Sequence, residues 1–89
     1  MSKNLSQLIK AHVQEEFLFD RPDFIITDST PLIDEGIIDS LGIFVMINFF
    51  QEQLGVEVAA DEVVLDNFES VEAMVELIQS KQAGESGNL

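Results

Sequence analysis

The chain has 89 residues and a formal net charge of −13, from 17 acidic and 4 basic side chains. A chain this short forms one domain with a modest core, which argues against a self-contained enzyme with both a substrate pocket and a separate cofactor fold. The negative charge repels phosphate backbones and anionic lipids, so we expect neither nucleic acid nor a membrane as partner.

The remaining composition indicates a folded, thiol-free protein. Hydrophobic residues make up 46% of the sequence, which is enough for a packed core. Cysteine is absent, so there are no disulfides, thiolate metal ligands or thiol nucleophiles. The N-terminus lacks the apolar core of a secretory signal, and the run 43–50 is too short to span a bilayer. We therefore expect a monomeric, cytoplasmic protein.

The N-terminal region predicts one amphipathic helix followed by a long loop. Apolar residues at helical spacing predict a helix over 4–19, stopped by Arg21-Pro22. The apolar residues of this stripe are Leu5, Leu8, Ile9, Val13 and Phe17. No sustained period follows over 20–38, so this loop needs anchoring residues. The candidate anchors are Phe24, Ile25, Ile26, Leu32 and Ile33.

A second helix is predicted from Ser40 to about Leu54. Asp39 can cap its N-terminus, and Gly55 supplies a C-terminal stop. One face of this helix carries the predicted core stripe, made of Ile43, Met46, Ile47, Phe50 and Leu54.

The opposite face of the second helix is unusually apolar. Leu41, Val45 and Phe49 repeat every four residues on the side expected to meet solvent. Two interpretations are open: the three side chains form a patch that binds another protein, or Phe49 packs against the 20–38 loop through Phe24 or Ile26.

Two further helical segments complete an all-α prediction. A short third helix is expected around 61–65, and Ser70 caps a fourth. The fourth helix carries its apolar stripe on Val71, Met74, Val75 and Ile78. The small and polar residues of 82–89 predict a flexible tail after a domain spanning 1–81.

Metal and hydrolase sites have weak support. His12 has no evident zinc partners and is interpreted as structural. Asp34, Glu35 and Asp39 lack the alternating spacing of a calcium loop, so we predict no metal site. Only His12 could serve as a base for Ser40, and no Gly-x-Ser-x-Gly elbow is present.

The context of Ser40 gives the most specific signal. A second Asp-Ser pair, Asp28-Ser29, is followed by Pro31 and begins no apolar helix. Three features in order distinguish Ser40: the run 32–41, the helix ending at Leu54-Gly55 with Val56 and Val58 after it, and the segment Phe68-Glu69-Ser70-Val71. Over about residues 5–80 the chain resembles an acyl or peptidyl carrier protein. This resemblance implies a four-helix bundle with a long loop between helices 1 and 2 and a short third helix.

The resemblance also implies a covalent cofactor on Ser40. A phosphopantetheinyl transferase would move 4'-phosphopantetheine from coenzyme A to its hydroxyl, and the arm would hold cargo as a thioester. Asp39 matches a residue that the transferase recognises, and Leu41 matches part of the docking surface. Gly36 matches a glycine that turns the loop into the helix. By the same similarity Val58, Val63 and Phe68 lie near the base of the arm. Val63 and Phe68 are candidate partner contacts there. A core position also explains all three residues, and it is the interpretation we favour.

The second helix departs from the fatty-acid type of carrier. Gly42, Val45 and Phe49 stand where such carriers usually show acidic residues, and Glu52 is its only acid. This difference favours a stand-alone carrier, not an enzyme, in a specialised pathway such as nonribosomal peptide or polyketide assembly. An adenylating acyl or aminoacyl ligase would load it for downstream acyl-processing enzymes. The alternatives are a fatty-acid-type carrier and an unmodified helical adaptor of the same fold.

Overall fold

A computed structural model describes the backbone of residues 2–87 and the side chains of residues 5–82. Within that range the chain is helical and has no strand. The α-helices are α1 (Ser2–Phe17), α2 (Ser40–Leu54) and α3 (Val71–Gly87), and two 3-10 segments, Ala60–Glu62 and Leu65–Asn67, connect α2 to α3. The all-α prediction is confirmed, but the four-helix count is not, because two short 3-10 turns occupy the region of the third helical segment expected around 61–65.

Helix α1 ends at Phe17, two residues earlier than predicted. Leu18 still donates its N–H to the Gln14 carbonyl at 3.1 Å, and its side chain is buried. Leu8 does not belong to the core stripe, because half of its surface is exposed. The predicted stripe is otherwise buried or partly buried against the core.

The long loop between α1 and α2 is anchored at several points. Leu32 is fully buried, and its N–H donates to the Glu69 carbonyl at 2.8 Å. A second anchor is the hydrogen bond that the Glu72 N–H donates to the Asp28 carbonyl at 2.9 Å. Ile25 was predicted as an anchor, but this is wrong because its side chain is 83% exposed.

The side chain of Asp28 joins the loop to α1. Its Oδ1 accepts a hydrogen bond from Ser6 Oγ at 2.7 Å and lies 2.9 Å from Lys10 Nζ. The Ser6 hydrogen bond, followed by that of Lys10, holds the pKa of the Asp28 carboxyl below its ordinary value. The loop therefore has a charged attachment to α1 in addition to its buried apolar side chains.

The core is built jointly by α1, α2, α3 and the loop between α1 and α2. Phe50 and Phe68 are fully buried and stack with their ring centroids 6.2 Å apart. The predicted stripe of α3 is buried along its whole length, at Val71, Met74, Val75 and Ile78. On α2 the stripe is buried at Ile43, Met46 and Phe50 and partly buried at Ile47 and Leu54.

Helix α3 begins as predicted and extends further. Ser70 Oγ accepts a hydrogen bond from the Ala73 N–H at 3.1 Å, which confirms the cap. The helix runs to Gly87, so the backbone of 82–87 is helical. Residues 88 and 89 lie outside the described range, and the flexibility of the 82–89 tail stays a prediction.

Candidate functional site

The start of α2 has the predicted geometry. Asp39 has an extended backbone, and its Oδ1 accepts a hydrogen bond from the Gly42 N–H at 2.8 Å. This bond satisfies one of the N–H groups that a helix leaves free in its first turn. Ser40 follows as the first residue of the helix and is exposed to solvent.

The segment before Asp39 is fixed to the core, which holds Ser40 in place. Gly36 has φ +75°, a left-handed conformation that glycine adopts without a side-chain penalty. Beyond this turn, the N–H groups of Ile37 and Ile38 both donate to the Leu32 carbonyl, at 2.9 and 3.1 Å. Both isoleucines are buried. Ser40 therefore follows an anchored turn, so its hydroxyl is exposed on a rigid support.

The comparison pair Asp28-Ser29 lies in a different setting. Ser29 is in an exposed turn between α1 and α2, and its N–H bonds locally to Thr27 Oγ1 at 3.3 Å. The Asp28 carboxylate already binds Ser6 and Lys10. The dipeptide alone thus does not produce the geometry of Ser40.

Gly42 has a packing role that the sequence pattern did not reveal. It is buried, and a Cβ atom built on it would lie 2.8 Å from Phe17 Cε1 and 3.0 Å from Ile38 Cγ2. Gly42 therefore faces α1. The absence of a side chain lets the end of α1 approach the helix start beside Ser40.

A substitution at this contact should be measurable. We expect Gly42→Ala to lower the free energy of unfolding by about 1 kcal/mol, since overpacking outweighs the gain in helix propensity. Urea titration checks the effect. Gly42→Ala should cost less in a Phe17→Leu background, which lacks the contacting ring, than in the wild type. An equal cost in both backgrounds would contradict the contact.

The exposed face of α2 is apolar, but its members differ from those predicted. Leu41 and Val45 are exposed as expected, and Phe44, which was not predicted, is 60% exposed. Phe49 was assigned to this face, and that assignment is wrong because it is only 8% exposed. Its ring stacks on His12 of α1 with centroids 4.0 Å apart and planes 14° from parallel.

Helix geometry explains why Phe49 leaves this face. Each residue turns the helix by about 100°, so a step of four overshoots a full turn by about 40°. Two such steps carry Phe49 about 80° around the axis from Leu41, towards α1. Residues 41, 44, 45 and 48 form the exposed stripe instead. We define the apolar face as Leu41, Phe44 and Val45.

Val63 and Phe68, the two candidate partner contacts after α2, differ in burial. Phe68 is fully buried and stacks on Phe50, so its assignment as a partner contact is wrong. Val58 and Val63 are partly buried against the core, which agrees with the core interpretation. The neighbouring Val64 and Leu65 are exposed instead, at 46% and 58%.

Comparison with known proteins identifies the family. A family model described as "Phosphopantetheine attachment site" matches residues 7–78. The chain belongs to this family. It is also 33% identical over 78 residues to "Probable acyl carrier protein PigG" of Serratia sp. (strain ATCC 39006), covering 88% of this chain and 87% of that protein.

The carrier therefore contains the domain to which 4'-phosphopantetheine is attached. The residues at the start of α2 fit such a group. Ser40 presents an exposed hydroxyl, and the N-terminus of a helix favours an attached phosphate through its dipole and free N–H groups. Proteins of this family carry cargo for other enzymes and are not themselves the catalysts.

Acidic side chains precede Ser40 and occur once on α2. Asp34, Glu35 and Asp39 are exposed before Ser40, and Glu52 is the only acid on α2. Lys81 Nζ lies 2.7 Å from Glu62 Oε1, and this hydrogen bond, with one from the Ala59 N–H, lowers the pKa of the Glu62 carboxyl.

The described residues contain neither a candidate metal cluster nor a membrane-spanning helix. None of their histidine and acidic side chains form a group of three that could hold a metal ion. No helix among them is long and apolar enough to cross a membrane.

Proposed function

We propose that Ser40 is the attachment residue and that the protein carries an acyl or aminoacyl group between partner enzymes. The observation that carries this proposal is the exposed Ser40 at the first position of α2, capped by Asp39 and held by the buried loop. When attached, 4'-phosphopantetheine supplies a terminal thiol on which cargo is held as a thioester. The chain has no cysteine, so no thiol of its own competes with that group.

Attachment requires a phosphopantetheinyl transferase. The Ser40 oxygen would form a phosphodiester with the phosphopantetheine moiety of coenzyme A, which releases adenosine 3',5'-bisphosphate. Asp39 has two roles in this proposal: its carboxylate caps α2, and its charge is recognised by the transferase.

The two roles of Asp39 can be separated by substitution. Asparagine caps helices about as well as aspartate but carries no charge, so Asp39→Asn should keep the melting temperature and slow the transferase. Asp39→Ala should slow the transferase and also cost about 0.5 to 2 kcal/mol of stability. Initial modification rates and thermal melts measure both effects. Wild-type rates for Asp39→Asn would leave only the capping role.

The apolar face is the proposed contact for the partner enzymes. Leu41, Phe44 and Val45 are exposed next to Ser40, and large exposed apolar side chains at one surface mark protein contact sites. This face replaces the acidic one of fatty-acid-type carriers. We therefore propose dedicated partners, an adenylating acyl or aminoacyl ligase and downstream acyl-processing enzymes, in a specialised pathway of the nonribosomal peptide or polyketide type.

Intact-mass measurement tests attachment directly. The purified chain is incubated with coenzyme A and a phosphopantetheinyl transferase, and its mass is compared before and after. We expect a gain of one phosphopantetheine group, which peptide mapping should place on Ser40. No gain would favour the unmodified adaptor, and a gain mapped to another serine would contradict the site.

A further inference from the structure

A groove lies on the outer side of α1, and none of its lining residues belongs to the apolar face. It has a volume of about 600 Å³ and runs between α1 and the segment 22–26 of the loop. Ala11 and Gln14 line it from α1, Leu18 lines it directly after the helix end, and Phe24 lines it from the loop. Phe19 and Ile25 stand at its edge and are the two most exposed large apolar side chains described, at 76% and 83%.

The groove is already formed in the structure, where contacts join its walls. Gln14 Nε2 donates a hydrogen bond to the Phe24 carbonyl at 3.1 Å, which ties the loop to α1 across the groove. The Phe24 N–H bonds to the Arg21 carbonyl at 3.0 Å, and the Arg21 guanidinium lies 4.7 Å from the centre of the Phe24 ring. A preformed apolar groove loses less entropy on binding than one that must be ordered.

We propose that this groove binds an amphipathic helix of a partner protein, with apolar residues on one face and lysine or arginine beside them. The apolar lining fits the first feature, since helices commonly bind by placing their apolar face in such a groove. The negative charge around the groove supports the second feature, the lysine or arginine residues. Glu15 lines the groove, and Asp20 and Asp23 line an adjoining depression that shares Pro22 and Phe24 with it.

The nearby cations do not offset these acids. Lys10 lines the groove, but its ammonium is 2.9 Å from Asp28. Arg21 is the other nearby cation, and its single positive charge does not balance the three negative charges of Glu15, Asp20 and Asp23. A second copy of the chain would bring the same acids and a further charge of −13, so self-association is electrostatically disfavoured.

The groove lies on a side of α1 that does not pack on α2. Phe17 approaches Gly42 and His12 stacks on Phe49, so α1 uses a different side to pack on α2. No residue of α2 lines the groove. A bound partner helix therefore leaves Ser40 and the apolar face accessible. If the proposed function holds, the carrier can be tethered near its enzymes, at high effective concentration, while Ser40 remains available.

Binding can be tested on the full chain with a defined probe. The probe is a synthetic amphipathic helical peptide with leucine on one face and lysine on its flanks, and the control peptide carries glutamate in place of lysine. Titration into the ¹⁵N-labelled chain should shift the amide signals of residues 11–15 and 19–25. We expect the glutamate peptide to bind about tenfold or more weakly.

Variants distinguish the groove from general attraction to an acidic protein. Phe19→Ser and Ile25→Ser should each weaken binding of the lysine peptide about tenfold, as for a buried apolar anchor. Leu8→Ser is the matched control, because Leu8 is half exposed on α1 but does not line the groove, and its affinity should equal that of the wild type. Absent binding, shifts confined to α2, or equal affinity in all variants would overturn the proposal.

Two further measurements keep this inference separate from the carrier function. Ser40→Ala should bind the peptide as the wild type does, so a failure of phosphopantetheine attachment does not change the groove result. Sedimentation over a range of concentrations should show a monomer. Self-association that disappears in Ile25→Ser would mean that a second copy occupies the groove and would overturn the proposed occupant.

Discussion

Ser40→Ala should lose the entire phosphopantetheine mass gain. Ser40 is the exposed first residue of α2, and alanine leaves no oxygen on which the phosphodiester can form. Because the hydroxyl is at the surface, we expect the free energy of unfolding to stay within about 0.5 kcal/mol of wild type. Intact mass after incubation with coenzyme A and transferase, together with a thermal melt, gives both results.

Ser29→Ala is the matched control for this experiment. Ser29 also follows an aspartate and is exposed, but it lies in a turn and not at a helix start. Its variant should be modified at the wild-type rate. A mass gain retained by Ser40→Ala, or one lost by Ser29→Ala, would contradict the assignment of the attachment site.

The bounds of α2 were predictable because both ends depend on local chemistry. Asp39 caps the N-terminus with its own carboxylate. At the other end Gly55 has φ +67°, and its N–H bonds to the Phe50 carbonyl. Such caps need only a few adjacent residues of suitable type, so the sequence contains the required information.

Side-chain contacts join the region of the expected third helix to its own backbone and to α3. Glu62 Oε1 accepts from the Ala59 N–H at 2.8 Å, and Asn67 Nδ2 donates to the Glu62 carbonyl at 2.8 Å. Lys81 of α3 binds the same Glu62 carboxylate. The Glu62 contact with Ala59 is a local helix-capping bond, whereas the Lys81 contact joins residues 19 positions apart, which a local sequence pattern cannot show.

The composition of the apolar face required knowledge of where α1 crosses α2. Periodicity identified α2 as a helix with apolar residues on more than one side, and it placed Leu41 and Val45 correctly. It could not show that His12 would cover Phe49 or that Phe17 would lie against Gly42. Both contacts join residues more than 20 positions apart, and they decide which aromatic ring on α2 remains in solvent.

Phe49 and Phe44 of α2 therefore give a direct comparison of core and contact surface. Phe49 is 8% exposed and stacked on His12, whereas Phe44 is 60% exposed. We expect Phe49→Ser to lower the free energy of unfolding by about 3 to 5 kcal/mol, the usual cost of emptying a buried phenylalanine site. In so small a domain this loss takes up much of the total stability.

Phe44→Ser should have the opposite profile. Its stability should remain near that of wild type, because little surface is buried on folding, while loading by the cognate ligase should fall about tenfold or more through loss of a contact residue. Urea titration and a loading assay on the phosphopantetheine form measure the two effects. Loading should depend only weakly on salt, since an apolar contact involves few screened charge pairs. Normal loading of Phe44→Ser would remove this residue from the contact surface, and an unchanged melt for Phe49→Ser would contradict the stacking of its ring on α1.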